Sequence, residues 1–307
     1  YQVNVLGSTR VLSVIGHPIS HTLSPVMHNA AIQALNIDYI YVPFHVLPEN
    51  LESAIRGVRS LEIAGVNVTI PHKERVIGFL DDVDESARAI GSVNTIVNEA
   101  GRLLGFSTDG PGFVKSAEAA WGRIDGCRVL ILGAGGSAKA VAFALAKIGC
   151  RIVVANRTFE RAVELVESLR AVESNARAAR LHRDELAREI ADVDLVVNTT
   201  SVGMYPDVDQ TPLPADLIRP GILVYDLVYN PPRSRLIDEA LSRGASAVNG
   251  LKMLVYQGAL SFEMWTGIRP PVDVMENAAI ACLGAARSPE AQSSRLGNRQ
   301  TLEPRTE

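Results

Sequence analysis

One stretch limits the folds open to this chain more than any other. Residues 129–138 read VLILGAGGSA. An unbroken apolar run leads into a glycine turn, and a helix-compatible segment follows. Apolar residues without alternation suit a strand buried on both faces, as in a parallel sheet covered by helices. The spacing G-x-G-x-x-A has a physical reason at each position: Gly133 makes the tight turn, Gly135 lets a backbone approach a pyrophosphate, and Ala138 allows close packing of helix on strand. The N–H groups of Gly133, Ala134, Gly135, Gly136 and Ser137 would then face phosphates, aided by the helix dipole. The plainer reading of so short a motif is a glycine-rich turn without a ligand.

The next strand favours the ligand. Residues 152–155 should end beside an adenosine ribose, where an NAD enzyme carries Asp or Glu to hold the 2′-hydroxyl. This chain has Asn156, Arg157 and Thr158 there, with Arg161 one helical turn on. A carboxylate would repel a 2′-phosphate, whereas a guanidinium pairs with it through a forked set of donors. The cofactor expected is therefore NADP(H). A solvated arginine face is the alternative. The loop Asn198–Met204, after a later strand, has small hydroxyl residues suited to ribose or nicotinamide contact, a weaker signal.

Around this block the chain reads as α/β. Strands are expected at Val11–Ile15, Tyr39–Val42, Ile63–Thr69, Val93–Asn98 and Leu103–Phe106, with helices at Ser24–Leu35, Pro48–Val58, Lys73–Phe79, Asp84–Ile90 and Gly110–Trp121. Ser24 reads as an N-cap with Pro25 at the first helical position. Strand–helix alternation from residue 128 to about 248 predicts a doubly wound parallel sheet. Helices at Met253–Trp265 and Val272–Ala286 are expected to fold back on the first domain. The division is then 1–112 plus 249–287 for one domain and 113–248 for a Rossmann-like one. Residues 288–307 are too polar to offset their ordering entropy and are expected to be a disordered tail. A length of 307 residues agrees with two domains.

A net charge of −4 argues against nucleic acid as the main partner. No apolar run approaches the roughly 20 residues of a membrane helix, and the N-terminus lacks a signal-peptide pattern. Three scattered cysteines with no C-x-x-C pair suit a reduced, cytoplasmic protein. The histidines His17, His21, His28, His45 and His72 lack metal-ligand spacing, and no metal is expected. The partner expected is a small molecule, with neither nucleic acid nor membrane; a homodimer is left open.

Polar residues then gather in the first domain where a plain core would have none. Residues 17–25 (HPISHTLSP) put hydroxyls on a loop opening a helix, residues 67–73 (NVTIPHK) end with a lysine past a strand, and SVNT at 92–95 and STDG at 107–110 complete the set. Each alone has a bland reading: a cap, a surface lysine, a turn aspartate. Together, and in order with GAGGSAKA (133–140), NRTFERA (156–162), NTTSVGM (198–204), VYNP (228–231) and GLKMLVYQG (250–258), they resemble the shikimate dehydrogenase family. The resemblance runs from about Val11 to about Ala286.

It implies reversible, NADPH-dependent reduction of 3-dehydroshikimate to shikimate on the route to aromatic amino acids. It implies Lys73 and Asp109 as the catalytic pair and Thr22 and Ser24 as a cradle for the substrate carboxylate. Thr69, Asn94, Asp109, Tyr229 and Gln257 would hold the ring hydroxyls, Leu227 and Gly250 would line the nicotinamide pocket, and Glu85 would touch the cofactor edge. Thr22 stands where the family often has Ser, Ser107 where Asn is frequent, and Ser137 where Ala is frequent. Two rivals are a quinate/shikimate dehydrogenase of broader specificity and a non-catalytic ligand sensor. Arg157 opposes the NAD preference that would favour the first, and retention of Lys73 with Asp109 opposes the second.

Overall fold

The computed structural model describes residues 5–172 and 175–285. The expected tail, 288–307, lies outside the described residues. Those residues form two six-stranded sheets. The first contains β1 (Arg10–Gly16), β2 (Tyr39–His45), β3 (Gly65–Val68), β4 (Asp82–Val83), β5 (Thr95–Glu99) and β6 (Arg102–Phe106) in the order β2-β1-β3-β5-β6-β4. It is mixed: β1 is parallel to β2 and β3, while β3–β5 and β5–β6 are antiparallel. The β5–β6 hairpin turns through Ala100 and Gly101, both with positive φ (51° and 91°), the backbone sense that matches strand twist in tight hairpins.

The second sheet is all parallel: β7 (Arg128–Leu132), β8 (Arg151–Asn156), β9 (Asn175–Arg180), β10 (Leu195–Asn198), β11 (Leu223–Asp226) and β12 (Ser246–Asn249), ordered β12-β11-β10-β7-β8-β9. Counted within the domain this is the doubly wound order 3-2-1-4-5-6. Val129, Leu130, Ile131 and Leu132 are fully buried, because helices cover both faces of β7. Strand order reverses between β7 and β10, so a ligand crevice opens beyond Leu132 and Asn198.

The helices are α1 (Ser24–Leu35), α2 (Leu51–Ser60), α3 (Glu85–Ile90), α4 (Asp109–Trp121), α5 (Gly136–Lys147), α6 (Phe159–Leu169), α7 (Arg183–Glu189), α8 (Arg235–Ser242), α9 (Leu251–Thr266) and α10 (Val272–Ala285). The last two return to the first sheet, where Val255, Phe262, Trp265 and Met275 share a core with Leu12, Val14, Met27 and Tyr41. Gly65 makes this seat, since a Cβ there would lie 2.2 Å from the Trp265 ring. The indole Nε1 donates to the Ile96 carbonyl at 2.9 Å, so the buried polar edge is satisfied. Helix α4 runs between the two sheets' helices. A Cβ on Gly110 would come within 2.7 Å of the Ala140 carbonyl oxygen in α5, and one on Gly112 within 2.7 Å of the Gln257 nitrogen in α9.

Two local expectations need correction. Leu23, not Ser24, is the N-cap of α1, and no side chain caps it. Ser24 is already helical, and its hydroxyl instead accepts from Thr22 Oγ1 at 3.2 Å. Residues 73–79 do not form an α-helix: Lys73 and Glu74 lie in a turn, followed by a 3₁₀ segment at Arg75–Phe79. Strands β4 and β9 and helices α7 and α8 were not anticipated.

Candidate active site

The turn after β3 fixes Lys73 through its backbone. The His72 N–H donates to the Thr69 carbonyl at 2.9 Å, and the Val93 N–H donates to the Lys73 carbonyl at 2.9 Å. The lysine side chain then points inward, and Nζ donates to Asp109 Oδ2 at 2.6 Å, with the two side chains 19% and 9% exposed. Asp109 is the first residue of α4, where the helix dipole favours a carboxylate. This charge-assisted bond sits at the edge of solvent and holds the two side chains in one geometry.

Asn94, buried just before β5, orients the far carboxylate oxygen. Its Nδ2 lies 2.8 Å from Asp109 Oδ1, 2.9 Å from Thr108 Oγ1 and 3.1 Å from Gln257 Oε1, while its Oδ1 accepts from the Thr108 N–H at 2.8 Å. Gln257 comes from α9, which explains why the C-terminal helices must return to this domain. Behind these groups a buried chain of hydroxyls and amides continues. Ser261 Oγ is 2.7 Å from Thr95 Oγ1 and receives Asn67 Nδ2 at 3.1 Å, and Tyr41 OH donates to Asn67 Oδ1 at 2.7 Å. Sequence reasoning missed Tyr41 and Ser261. Ser261 lies one helical turn after Gln257, and that i, i+4 spacing of polar residues on an otherwise apolar helix was the available signal.

Ser24 is buried and Thr22 half-buried, with hydroxyls in contact. Thr69 packs its methyl on the Gly16 backbone, where a Cβ would be 2.4 Å away. Burial raises the Tyr229 hydroxyl pKa above its usual value, which keeps the group a neutral donor. Gly250 is obligatory for the approach of two loops, since a Cβ would lie 2.1 Å from the Leu227 carbonyl oxygen.

The second sheet supplies a cradle of the shape expected for a dinucleotide. Gly133 has φ +110°, and a Cβ there would strike Thr199 Oγ1 at 2.5 Å. Cβ atoms on Gly135 and Gly136 would meet no atom within 4 Å, so open space faces the turn. Gly135 is the N-cap of α5 and no side chain caps the helix, leaving its first N–H groups for a ligand. Asn156 Nδ2 closes the following turn on the Thr158 carbonyl at 2.8 Å. Arg157 and Arg161 are exposed, and neither guanidinium has a hydrogen-bonded or ion-paired partner among the described residues. No acidic residue stands from Asn156 to Phe159; Glu160 precedes Arg161.

Two expectations fare differently. In the loop after β10 the threonine hydroxyls are spent on the protein: Thr199 Oγ1 donates to the Leu132 carbonyl at 2.7 Å and Thr200 Oγ1 to Asn198 Oδ1 at 2.7 Å. Glu85 is exposed at the start of α3. Its neighbour Asp84 feels the charge of Lys147, the last residue of α5. That is the end of α5 away from the glycine turn, about 18 Å along the helix, while Ile90 at the other end of α3 lines one cleft with Ala134 and Gly135.

Residues 14–96 match a family model described as the shikimate dehydrogenase substrate binding domain, residues 115–205 one described as shikimate / quinate 5-dehydrogenase, and residues 250–280 one described as the shikimate 5′-dehydrogenase C-terminal domain. The shikimate dehydrogenase (NADP(+)) of Methanopyrus kandleri is 50% identical over 282 residues, spanning 91% of this chain and 97% of the relative. A shikimate dehydrogenase solved with NADP+ superimposes with TM-score 0.87 at 42% identity, covering 91% of this chain and 98% of that one. The Thermus thermophilus shikimate 5-dehydrogenase, solved with NADP(H) and shikimate, gives TM-score 0.82 at 39% identity over 89% of this chain and 99% of that one.

Proposed function

The chain belongs to the shikimate dehydrogenase family, and from that premise we propose which of its residues carry the reaction. It is an NADP-dependent oxidoreductase acting on a CH–OH group, and it reduces 3-dehydroshikimate reversibly to shikimate on the route to aromatic amino acids. When bound, NADPH supplies the hydride that reaches C3 of the ring. Gly133, Ala134, Gly135, Gly136 and Ser137 would hold its pyrophosphate, Asn156, Arg157, Thr158 and Arg161 its 2′-phosphate, and Leu227 and Gly250 its nicotinamide.

The remaining work falls to side chains of the first domain. As C3 is reduced, negative charge grows on its oxygen, and the Lys73 ammonium stabilises it and delivers the proton. In the oxidising direction Lys73 takes that proton back. Asp109 holds Lys73 through Oδ2 and keeps its other oxygen on Asn94. The Asn94 amide nitrogen has two hydrogens but three acceptors within reach. The three acceptors share those two hydrogens, which holds Asn94 between Thr108, Asp109 and Gln257. Thr69, Tyr229 and Gln257 would fix the ring hydroxyls, and Thr22 and Ser24 the carboxylate. The observation that carries this reading is the Lys73–Asp109 bond of 2.6 Å with its amide support. Lys73→Ala and Asp109→Ala should each lower turnover about 10²-fold or more with NADP binding intact. Near-normal turnover would remove that residue from the mechanism.

The domain division proposed is 1–112 plus 249–287 for substrate and 113–248 for cofactor, supported by the shared core of α9 and α10 with the first sheet. No helix among the described residues is long and apolar enough to cross a membrane. The reading extends to a cytoplasmic enzyme, for which the unpaired Cys127, Cys150 and Cys282 speak, and to a homodimer, which sedimentation equilibrium tests.

A further inference from the structure

The residue after the catalytic lysine points the opposite way. Lys73 turns inward to Asp109, while Glu74, 58% exposed, turns outward across the cleft to Lys139, with Oε1 3.2 Å from Nζ. Among the described residues this is the only ion pair that joins the segment before α4 to the second sheet and its helices. Lys139 lies in the first turn of α5, and its backbone N–H donates to the Gly135 carbonyl at 3.0 Å. It therefore moves with the glycine turn. A cation in the first turn of a helix is opposed by the helix dipole, and the ion pair with Glu74 offsets part of that cost. Both residues line one cleft of about 440 Å³ together with Ala134, Gly135 and Arg161.

We propose that Glu74 and Lys139 form a latch between the two domains, which makes Lys139 a positioning residue that sets the glycine turn in register with Lys73. The inference rests on the dehydrogenase reading above. The link is short: Lys139 on α5 pairs with Glu74, and Glu74 directly follows the catalytic Lys73 in the chain. The pair is about half exposed, and such pairs are weak and screened by salt. Weakness suits a contact that has to open for ligand exchange and close again in each turnover.

A double-mutant cycle tests this in the full chain, with shikimate oxidation by NADP as the assay. At low salt Glu74→Gln and Lys139→Gln should each lower kcat about two- to five-fold, the size expected for a half-exposed pair. The double variant should lose no more than either single one. High salt should bring the wild type down toward the variants, and Lys139→Arg should retain most of the activity. The latch is overturned if the two losses multiply, or if Glu74→Gln leaves kcat unchanged. It is also overturned if Lys139→Gln raises only the KM for NADP, because Lys139 then serves the cofactor phosphates alone. A wild type that does not oxidise shikimate with NADP would overturn the dehydrogenase reading and the latch with it. An active wild type with silent variants overturns the latch alone.

Discussion

Replacing Gly112 by alanine places a methyl group where α4 and α9 leave no room. The added Cβ would lie 2.7, 2.8 and 2.9 Å from the N, Cβ and Cα of Gln257. Carbon atoms pack at about 3.5–4.0 Å, so one helix must move by roughly 0.7–1 Å. N and Cα are backbone atoms and the backbone fixes Cβ, so no rotamer change relieves them. Overpacking of this kind costs about 1–3 kcal/mol, and a loss near 2 kcal/mol lowers Tm by about 4–8 °C. The displaced residue is Gln257, whose Oε1 meets the Asn94 amide at 3.1 Å. A 1 Å error at a positioning group can cost about 10²-fold in rate. Steady-state kinetics should therefore show kcat/KM for shikimate falling by about 10- to 100-fold, with NADP affinity nearly unchanged because the clash is with α9 and not with α5. Gly57→Ala in α2 is the control. A Cβ there meets nothing within 4 Å, and alanine should stabilise the helix by about 0.5–1 kcal/mol. If Gly112→Ala keeps wild-type kcat/KM, the coupling of α9 to the ring-hydroxyl site is wrong.

Two further outcomes follow from single groups. Arg157→Ala should weaken NADP(H) by about 1.5–3 kcal/mol and leave NAD(H) nearly unaffected, with the discrimination shrinking as salt rises; equal loss of both cofactors in a binding titration would make Arg157 structural. His28 is fully buried against Tyr41 (ring centroids 4.2 Å apart), and burial pushes its pKa down to about 3. The unfolded chain takes up a proton near pH 6.5 that the folded one refuses, so stability present above that pH is lost as pH falls toward 3, by about 2 kcal/mol at pH 5. His28→Phe keeps the stack and should flatten the Tm profile between pH 7 and 5; an unchanged slope would place the acid sensitivity elsewhere.

How much could be read beforehand depended on whether a residue's role left a local mark. β7 declares itself because burial on both faces demands continuous apolar side chains. Its glycine turn is equally legible, because Gly133 sits at φ +110° against Thr199. β9 leaves no such mark: NARAAR is an edge strand with mostly exposed or half-exposed side chains, and it reads as a loop. Helix α8 does leave one, since the Ser234 side chain caps it and Leu236, Ile237 and Ala240 form its buried face, but eight residues give only two turns of the periodic pattern. Ser24 was misread because a serine before a proline resembles a cap, and only the backbone places the cap one residue earlier. The site itself was legible as separate polar segments. What sequence could not supply was the meeting of Asn94 with Gln257, a contact between residues 163 positions apart, nor the outward turn of Glu74 to Lys139.

This chain transfers hydride between NADP and shikimate. The direct measurement is absorbance at the reduced-nicotinamide band, with shikimate or quinate crossed against NADP or NAD. Shikimate with NADP should be the best pair. With Thr22 and Ser24 as the proposed carboxylate cradle, quinate should trail by about 10- to 100-fold, because the Thr22 methyl would crowd its extra hydroxyl and leave it unpaired. Quinate with NAD turning over as fast as shikimate with NADP would contradict the assignment of both the carboxylate cradle and the 2′-phosphate site.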